Sequence, residues 1–388
     1  MSLQWGRLQS LVTAALLASP RRSLNRVMVA TCALLSVSGC EPNDRTRPDA
    51  IPAKVIALEG VELKESDSSY IGRPVGLAVH PSGEYFVIDM FRPRVLRYSR
   101  GGEFLAEFGG SGEGPGEFIA PSGLAFTSDT TVAVIDLRGN FISLFDRRSG
   151  KYYRRRAFAG SYRSVSVGHD SLWLGLWNAE RGTALALWSI ADDSISYMMP
   201  LPEVYAPQSL TQMLLNNTVV APFGDSLVVG FAGDRRLVIA TQRGVRLATF
   251  EVPAATRRGL PSDIEERMLK TSSIEGAVLQ YSYLLSLRRL ESGALIVIHA
   301  DAQLKSKVYL MDLFVSVISP DFKTACVDAR LPLGREAQPW FASRGDTLLI
   351  LEQTVDVSDR PVSTVRRFLI DPSSCTWLPT GLEAVRTE

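Results

Sequence analysis

The sequence predicts an all-β chain folded as a six-bladed β-propeller of four-stranded antiparallel blades. Three observations predict it. A unit repeats at a constant offset of 47, a turn followed by a β-prone run recurs six times, and a strand-like apolar segment precedes the first complete unit.

The repeat is clearest between residues 73–98 and 120–145. Without a gap, Pro74 matches Pro121, and Gly76-Leu77-Ala78 matches Gly123-Leu124-Ala125. Val87-Ile88-Asp89 matches Val134-Ile135-Asp136, and Tyr98 matches Phe145. Each unit reads as an apolar strand, a turn, a second apolar strand, a turn, and a third strand of alternating pattern.

The weaker core, a Ser/Gly/Asp turn and then β-prone residues, begins at Ser82, Asp129, Asp170, Asp225, Ser292 and Asp346. A blade of four short strands takes ~40–50 residues, so six units fit residues 55–388 as one domain. One twisted sheet cannot cover both of its own apolar faces, so each blade needs two neighbours and the ring must close. Ile56-Ala57-Leu58 and Val61-Glu62-Leu63 are expected to add a strand to the last blade (334–380), which closes the ring.

Between the fourth and fifth units the pattern changes. Ser262 stands three residues before Glu265, the spacing of a capping box, and predicts one short helical insertion near 261–270. Such an insertion is either a surface decoration or a partial lid over one face.

The N-terminus reads as a targeting segment. Arg21, Arg22 and Arg26 form a basic region, and Val27–Gly39 is an uncharged apolar run of 13 residues. That is short for a membrane span of ~20 residues and suits a signal peptide over 1–39. Val37-Ser38-Gly39-Cys40 resembles a bacterial lipobox, which implies lipidation of Cys40. Residues 40–54 are polar and contain Pro, as in a flexible tether. The expected location is therefore the bacterial cell envelope, at the outer membrane or the periplasmic face, with the membrane as a partner through the anchor.

Net charge is +1, and −3 once residues 1–39 are removed, which gives no footprint for nucleic acid. Three histidines and four cysteines are scattered, without zinc-ligand spacing. Cys326 and Cys375 read as parts of the final strands of successive blades. Outer strands diverge, which weighs against a disulfide between them and leaves the pairing open.

Phe108-Gly109-Gly110-Ser111-Gly112-Glu113-Gly114-Pro115-Gly116-Glu117-Phe118, followed by Pro121-Ser122-Gly123-Leu124-Ala125, resembles the NHL repeat. There a Gly-rich connection leads into a P-x-G-[IL]-A strand, and the next strand ends in Val-x-Asp. The resemblance spans roughly 70–150. It implies a six-bladed propeller like those of NHL-like bacterial lipoproteins. The glycines do not form a phosphate loop, because no GK[ST] follows and the stretch runs into a strand.

In a propeller the turns after the second strands gather on one face around the central funnel. Aligning the units puts Asp89, Asp136, Leu176 or Trp177, Phe231, His299 and Glu352 there, with Arg73 as a further candidate. Two Asp, one Glu and one His could hold Ca or another divalent cation, or orient a polar ligand. The competing structural reading is that strand-end Asp residues bond the backbone of their own turns. Arg92, Arg94, Arg97 and Arg138 are expected to pair with the Asp89 and Asp136 carboxylates. His80 and His169 fall in first-to-second strand turns and are expected to be solvated. The run Lys151–Arg156 reads as a charged blade edge, or as a contact for anionic headgroups or glycans.

No nucleophile–base pair is visible, and no catalytic residue or cofactor is assigned. The leading reading is an envelope lipoprotein that binds a small molecule, a glycan or an envelope protein. The alternative is a metal-dependent lactonase- or lyase-like hydrolase working in the funnel.

Overall fold

The computed structural model describes residues 50–385 except 67–68, 169–170, 203–216, 262, 265, 267–280, 306–307, 335–338 and 357–359. The segment expected to be a leader (1–39), Cys40, the expected tether up to residue 49 and His169 lie outside the described residues.

Strand β1 (Lys54–Glu62) precedes the first blade, which is β2 (Pro74–Val79), β3 (Tyr85–Asp89), β4 (Arg94–Tyr98) and β5 (Phe104–Phe108). The second holds β6 (Pro121–Phe126), β7 (Thr131–Asp136), β8 (Phe141–Asp146) and β9 (Tyr152–Ala157). The third holds β10 (Ser161–Gly168), β11 (Ser171–Asn178), β12 (Thr183–Ser189) and β13 (Ser194–Pro200). The fourth comprises β14 (Thr218–Phe223), β15 (Ser226–Phe231), β16 (Arg236–Thr241) and β17 (Arg246–Glu251). The fifth comprises β18 (Ser282–Arg289), β19 (Leu295–Lys305), β20 (Val308–Ile318) and β21 (Thr324–Arg330). The sixth has β22 (Trp340–Arg344), β23 (Thr347–Val355) and β24 (Pro361–Asp371) from its own unit. Its fourth strand is β1, paired antiparallel with β24 from Lys54↔Asp371 to Glu62↔Thr364. The N-terminal clasp expected from the sequence is thus in place.

Both faces of each sheet are covered, which is why the second strands read as unbroken apolar runs. In β7, Val132 and Val134 pack toward the first blade, while Ala133 and Ile135 pack toward the third. Period-two alternation therefore feeds two cores at once. Six apolar clusters result, one between each pair of neighbouring blades. Each first strand touches the first strand of the next blade, and β22 touches β2, so the inner strands form a closed ring. Four inner strands carry a register shift near their start, at Pro74/Gly76, Pro121/Gly123, Tyr162/Ser164 and Leu284/Ser286. A bulge there sharpens the twist where the chain turns into the blade.

The C-terminal tail was not anticipated. Beyond β24, β25 (Leu378–Pro379) pairs with β21 and β26 (Glu383–Ala384) pairs with β17, so the fifth and fourth blades each gain a fifth strand. Cys375 lies in this tail and is disulfide-bonded to Cys326 of β21, with Cα atoms 6.1 Å apart. The divergence of outer strands does not apply, because β1 occupies the outer place of the sixth blade and frees the tail to run back.

Of the helical insertion, Ile264 and Glu266 are helical and Ile264 is buried. Its capping pair, Ser262 and Glu265, falls outside the described residues.

Candidate functional site

Antiparallel order sends the second-to-third strand turns and the blade connections to one end of the ring. The first-to-second and third-to-fourth turns go to the other. The residues singled out by the repeat sit at the first end, and most of them hold blade connections.

Asp89 is fully buried, and its Oδ1 accepts the backbone N–H groups of Arg73 and Phe91, each at 2.9 Å. Arg94 Nε lies 3.6 Å from its other oxygen, as the sequence suggested. Asp136 accepts from Ile119 N (2.6 Å) and Ala120 N (3.2 Å) in the incoming connection, and from Arg138 N (3.0 Å) and Gly139 N (2.9 Å) in its own turn. Glu352 repeats the pattern, accepting Gly334 N at 3.3 Å and Arg366 Nη1 at 3.0 Å. In the third blade the post falls to Asn178, just past the aligned Leu176 and Trp177. Its amide donates to Ala159 O at 3.4 Å and accepts Arg181 N at 3.0 Å. Trp177 points its indole N–H into the protein with no hydrogen-bond partner among the described residues. Phe231 is core, 1% exposed. Arg73 uses its backbone here, and its side chain is exposed.

His299 replaces the repeat's Asp with a different arrangement. Its Nε2 is 2.8 Å from Thr256 Oγ1, and that hydroxyl donates to Asp328. Asp328 also accepts Ala255 N at 2.7 Å and Thr256 N at 3.2 Å. Since the hydroxyl proton goes to the carboxylate, Nε2 carries the imidazole proton, assigned from this network. Burial, reinforced by the positive charge of Arg257, holds the pKa of His299 down at about 3, so the ring is neutral. It stacks on Phe314 with centroids 5.6 Å apart. The carboxylate that ties the fifth blade's connection therefore comes from its outer strand. Residues 327–328 bulge opposite Ser316, and Asp328 adopts φ 60° to reach inward.

His80 corrects the expectation of a solvated turn. It is 2% exposed, with Nδ1 2.8 Å from Ser82 Oγ, Nε2 3.1 Å from Asp129 Oδ1, and Phe126 edge-on at 5.0 Å. The next blade covers this turn. Burial first, then Arg147, lowers its pKa against the opposing pull of Asp129. The basic run 151–156 lies on exposed β9, and its arginines reach neighbouring segments. Arg154 and Arg156 approach Asp193 of the third blade at 3.6 and 3.3 Å, and Arg155 donates to Glu113 O at 2.8 Å.

The seven funnel candidates are spread over all six blades, with only Arg73 and Asp89 in the same one, and none lines either of the two cavities described next. Among the described residues no three His, Cys, Asp or Glu side chains gather as metal ligands would.

Both cavities open at the opposite end. The larger, about 490 Å³, lies at the mouth of the inner ring. Its lining includes Ser166 of β10, Asp225, Gln242, Arg288 and Arg289 of β18, and Ser343 of β22. Arg288 Nη2 donates to Phe341 O at 2.8 Å, while its Nε is buried without a hydrogen-bond partner. Burial lowers its pKa, with Tyr162 pulling the other way. The smaller cavity, about 290 Å³, lies between the sixth and first blades. Neither was found from sequence. The available signal was Arg288-Arg289 ending an inner strand that is otherwise apolar or hydroxylic.

Residues 50–181 match the model of a family described as a six-bladed β-propeller, DUF5128. Among solved structures, the chain is similar to a member of the DUF4221 family from Bacteroides vulgatus, with TM-score 0.60 and 10% identity over 82% of this chain and 99% of that one. It is also similar to a Bacteroides fragilis protein described as exported, with TM-score 0.53 and 14% identity over 81% and 95%. At such identities the likeness is one of fold. No curated protein matches the chain.

Proposed function

We propose that the protein is a non-catalytic, ligand-binding propeller of the cell envelope, exported by its leader and held at a membrane by a lipid on Cys40. Its ligand is a small anionic molecule, such as an organic or sugar acid, seated at the mouth of the inner ring.

The observation that carries this is Arg288. A guanidinium drawn in among inner strands keeps one described hydrogen bond and leaves a buried Nε–H unmet. Leaving a charged donor unsatisfied is costly, and an anion held beside the guanidinium would offset part of that cost through its charge. Arg289 adds charge at the rim, where the exposed Asp225 is the one carboxylate in the lining, so positive charge exceeds negative by one. The serines and Gln242 supply neutral polar groups for orientation. A volume of about 490 Å³ falls in the range of small-molecule sites, ~300–1,000 Å³. Export is supported by the apolar run ending at Cys40 and by the description of the similar Bacteroides fragilis protein. Among the described residues no cluster of metal-ligating side chains supports the hydrolase reading.

The test is thermal denaturation of the full chain with succinate, citrate or glucuronate. A ligand at 100 times its Kd adds about 2.7 kcal/mol of stability. Stabilisation by one of these acids that disappears in Arg288→Gln is the expected result. A panel without effect, or an effect that survives in the variant, overturns the assignment. For the anchor, Cys40→Ser should move the protein from the membrane to the soluble fraction, and retention with the membrane would sink that part.

A further inference from the structure

The cleft between the sixth and first blades has different chemistry. Arg100 enters it from the β4–β5 turn, Arg344 from the end of β22 and Arg367 from β24. Among the described residues these three guanidiniums have no carboxylate at ion-pair distance and no hydrogen-bonded partner. By contrast, Arg94 is matched with Asp89 and Glu107, Arg147 with Glu84, and Arg366 with Glu352. Like charges converging without a counterion repel one another, the more so beside low-dielectric protein.

Two neutral groups complete the wall. Tyr85 is 4% exposed, yet its hydroxyl makes no hydrogen bond among the described residues and faces the cleft, with Thr347 beside it. Burial raises the tyrosine's pKa against the pull of Arg367, Arg344 and Arg100, so it stays a neutral donor. Glu291 is the one carboxylate in the lining, and it is exposed at the rim near Gly345. Positive charge therefore exceeds negative by two. At about 290 Å³ the cleft lies at the small end of ligand sites, which suits a compact ion better than an extended molecule. Guanidinium forks match the oxygens of phosphate and sulfate in geometry as well as charge.

We infer that this cleft is a binding site for a doubly charged tetrahedral oxyanion, phosphate or sulfate, either free or as the terminal group of a small ester. It shares no lining residue with the cavity around Arg288, so it stands or falls separately from the function proposed above.

Calorimetric titration of the full chain with inorganic phosphate, sulfate and glycerol phosphate tests it. At least one should bind. Response to the inorganic ions points to the free ion as the source, and response to glycerol phosphate alone points to a phosphate ester; either supports the site. Arg344→Ala and Arg367→Ala should each weaken binding about tenfold or more, since each removes a charge-assisted contact. Tyr85→Phe should weaken it less while keeping the packed ring. Arg243→Ala, an exposed arginine in another blade's turn, should leave it unchanged. Both principal variants remove side chains that make no hydrogen bond or ion pair among the described residues, so they should fold, which circular dichroism verifies. Absence of binding by all three probes, or undiminished affinity in Arg344→Ala and Arg367→Ala, overturns the inference.

Discussion

Cys375 is bonded to Cys326 across the boundary between the sixth and fifth blades, 49 positions apart in sequence. The cross-link pins a tail that then adds two short bridges, Ala325↔Leu378 with Thr324↔Pro379, and Ala248↔Ala384 with Thr249↔Glu383. Two-residue strands contribute little by themselves. The disulfide keeps them in place, while β1 closes the ring from the other terminus.

Cys375→Ser should therefore destabilise the propeller. A cross-link over a loop of that length is worth at most about 4 kcal/mol in the chain-entropy view. Denaturant unfolding should show that loss, and reductant should reproduce it in the wild type without affecting the variant. Equal stability of the two under oxidising conditions would mean the tail adds nothing to the ring.

His299 predicts a pH effect of definite sign. Its folded pKa is about 3 against an ordinary 6.5, and the cause is chiefly burial. Below pH 6.5 the unfolded chain takes up a proton that the folded chain refuses. Stability contributed by keeping this ring neutral thus falls as pH drops, by roughly 1.4 kcal/mol per unit, until the folded ring protonates near 3. Above 6.5 the residue has no effect on the slope. His299→Gln should flatten the stability profile between pH 6 and 4 relative to wild type. Parallel profiles would contradict the neutral, buried ring.

The carboxylate behind that histidine can be tested on its own. Asp328→Asn keeps a residue that tolerates φ 60° but removes the charge that accepts from Ala255, Thr256 and the Thr256 hydroxyl. A loss of about 1–3 kcal/mol is expected. Asp328→Ala should cost more, because a Cβ without a compensating polar group is strained in the left-handed region by roughly 1–2 kcal/mol. Hydrogen exchange at the Ala255 and Thr256 amides should accelerate in both variants. Unchanged protection would show that the connection is held by other contacts.

These residues also mark what the sequence could and could not show. The ring was legible because Pro74/Pro121 and Asp89/Asp136 recur at one offset, and because the strand-like segments 56–58 and 61–63, ahead of the first unit, need a partner. The same regularity drew attention to the ends of the second strands, where a recurring Asp grips the recurring connection. Asp328 was hidden because a bulge and a left-handed residue, neither with a spacing signature, bring it from an outer strand. The tail was hidden because its bridges are too short to alternate. Arg100, Arg344 and Arg367 meet only when the last blade closes on the first, so no local window contains them.

Gly175 offers a test of how tightly the third and fourth blades are joined at the inner ring. A Cβ on this residue of β11 would lie 2.2 Å from the Thr218 carbonyl oxygen and 2.3 Å from Ser164 Oγ. Those two groups are themselves bonded, with Ser164 Oγ donating to Thr218 O at 2.8 Å, and Thr218 Oγ1 donating back to Leu176 O at 3.3 Å. A carbonyl in a paired strand cannot rotate aside as a long side chain can, so Gly175→Ala must separate the blades or break the bond. We expect a loss of about 1–3 kcal/mol from overpacking, with about 1 more if the hydrogen bond goes. Gly182→Ala meets no atom within 4 Å but sits at φ 63°, so it should carry only the backbone cost of roughly 1–2 kcal/mol. Gly110→Ala has open space and no positive φ and should be neutral. Denaturant midpoints for the three should therefore fall in the order Gly110→Ala, Gly182→Ala, Gly175→Ala. A Gly175→Ala protein as stable as Gly110→Ala would mean the seam is loose enough to absorb a methyl group.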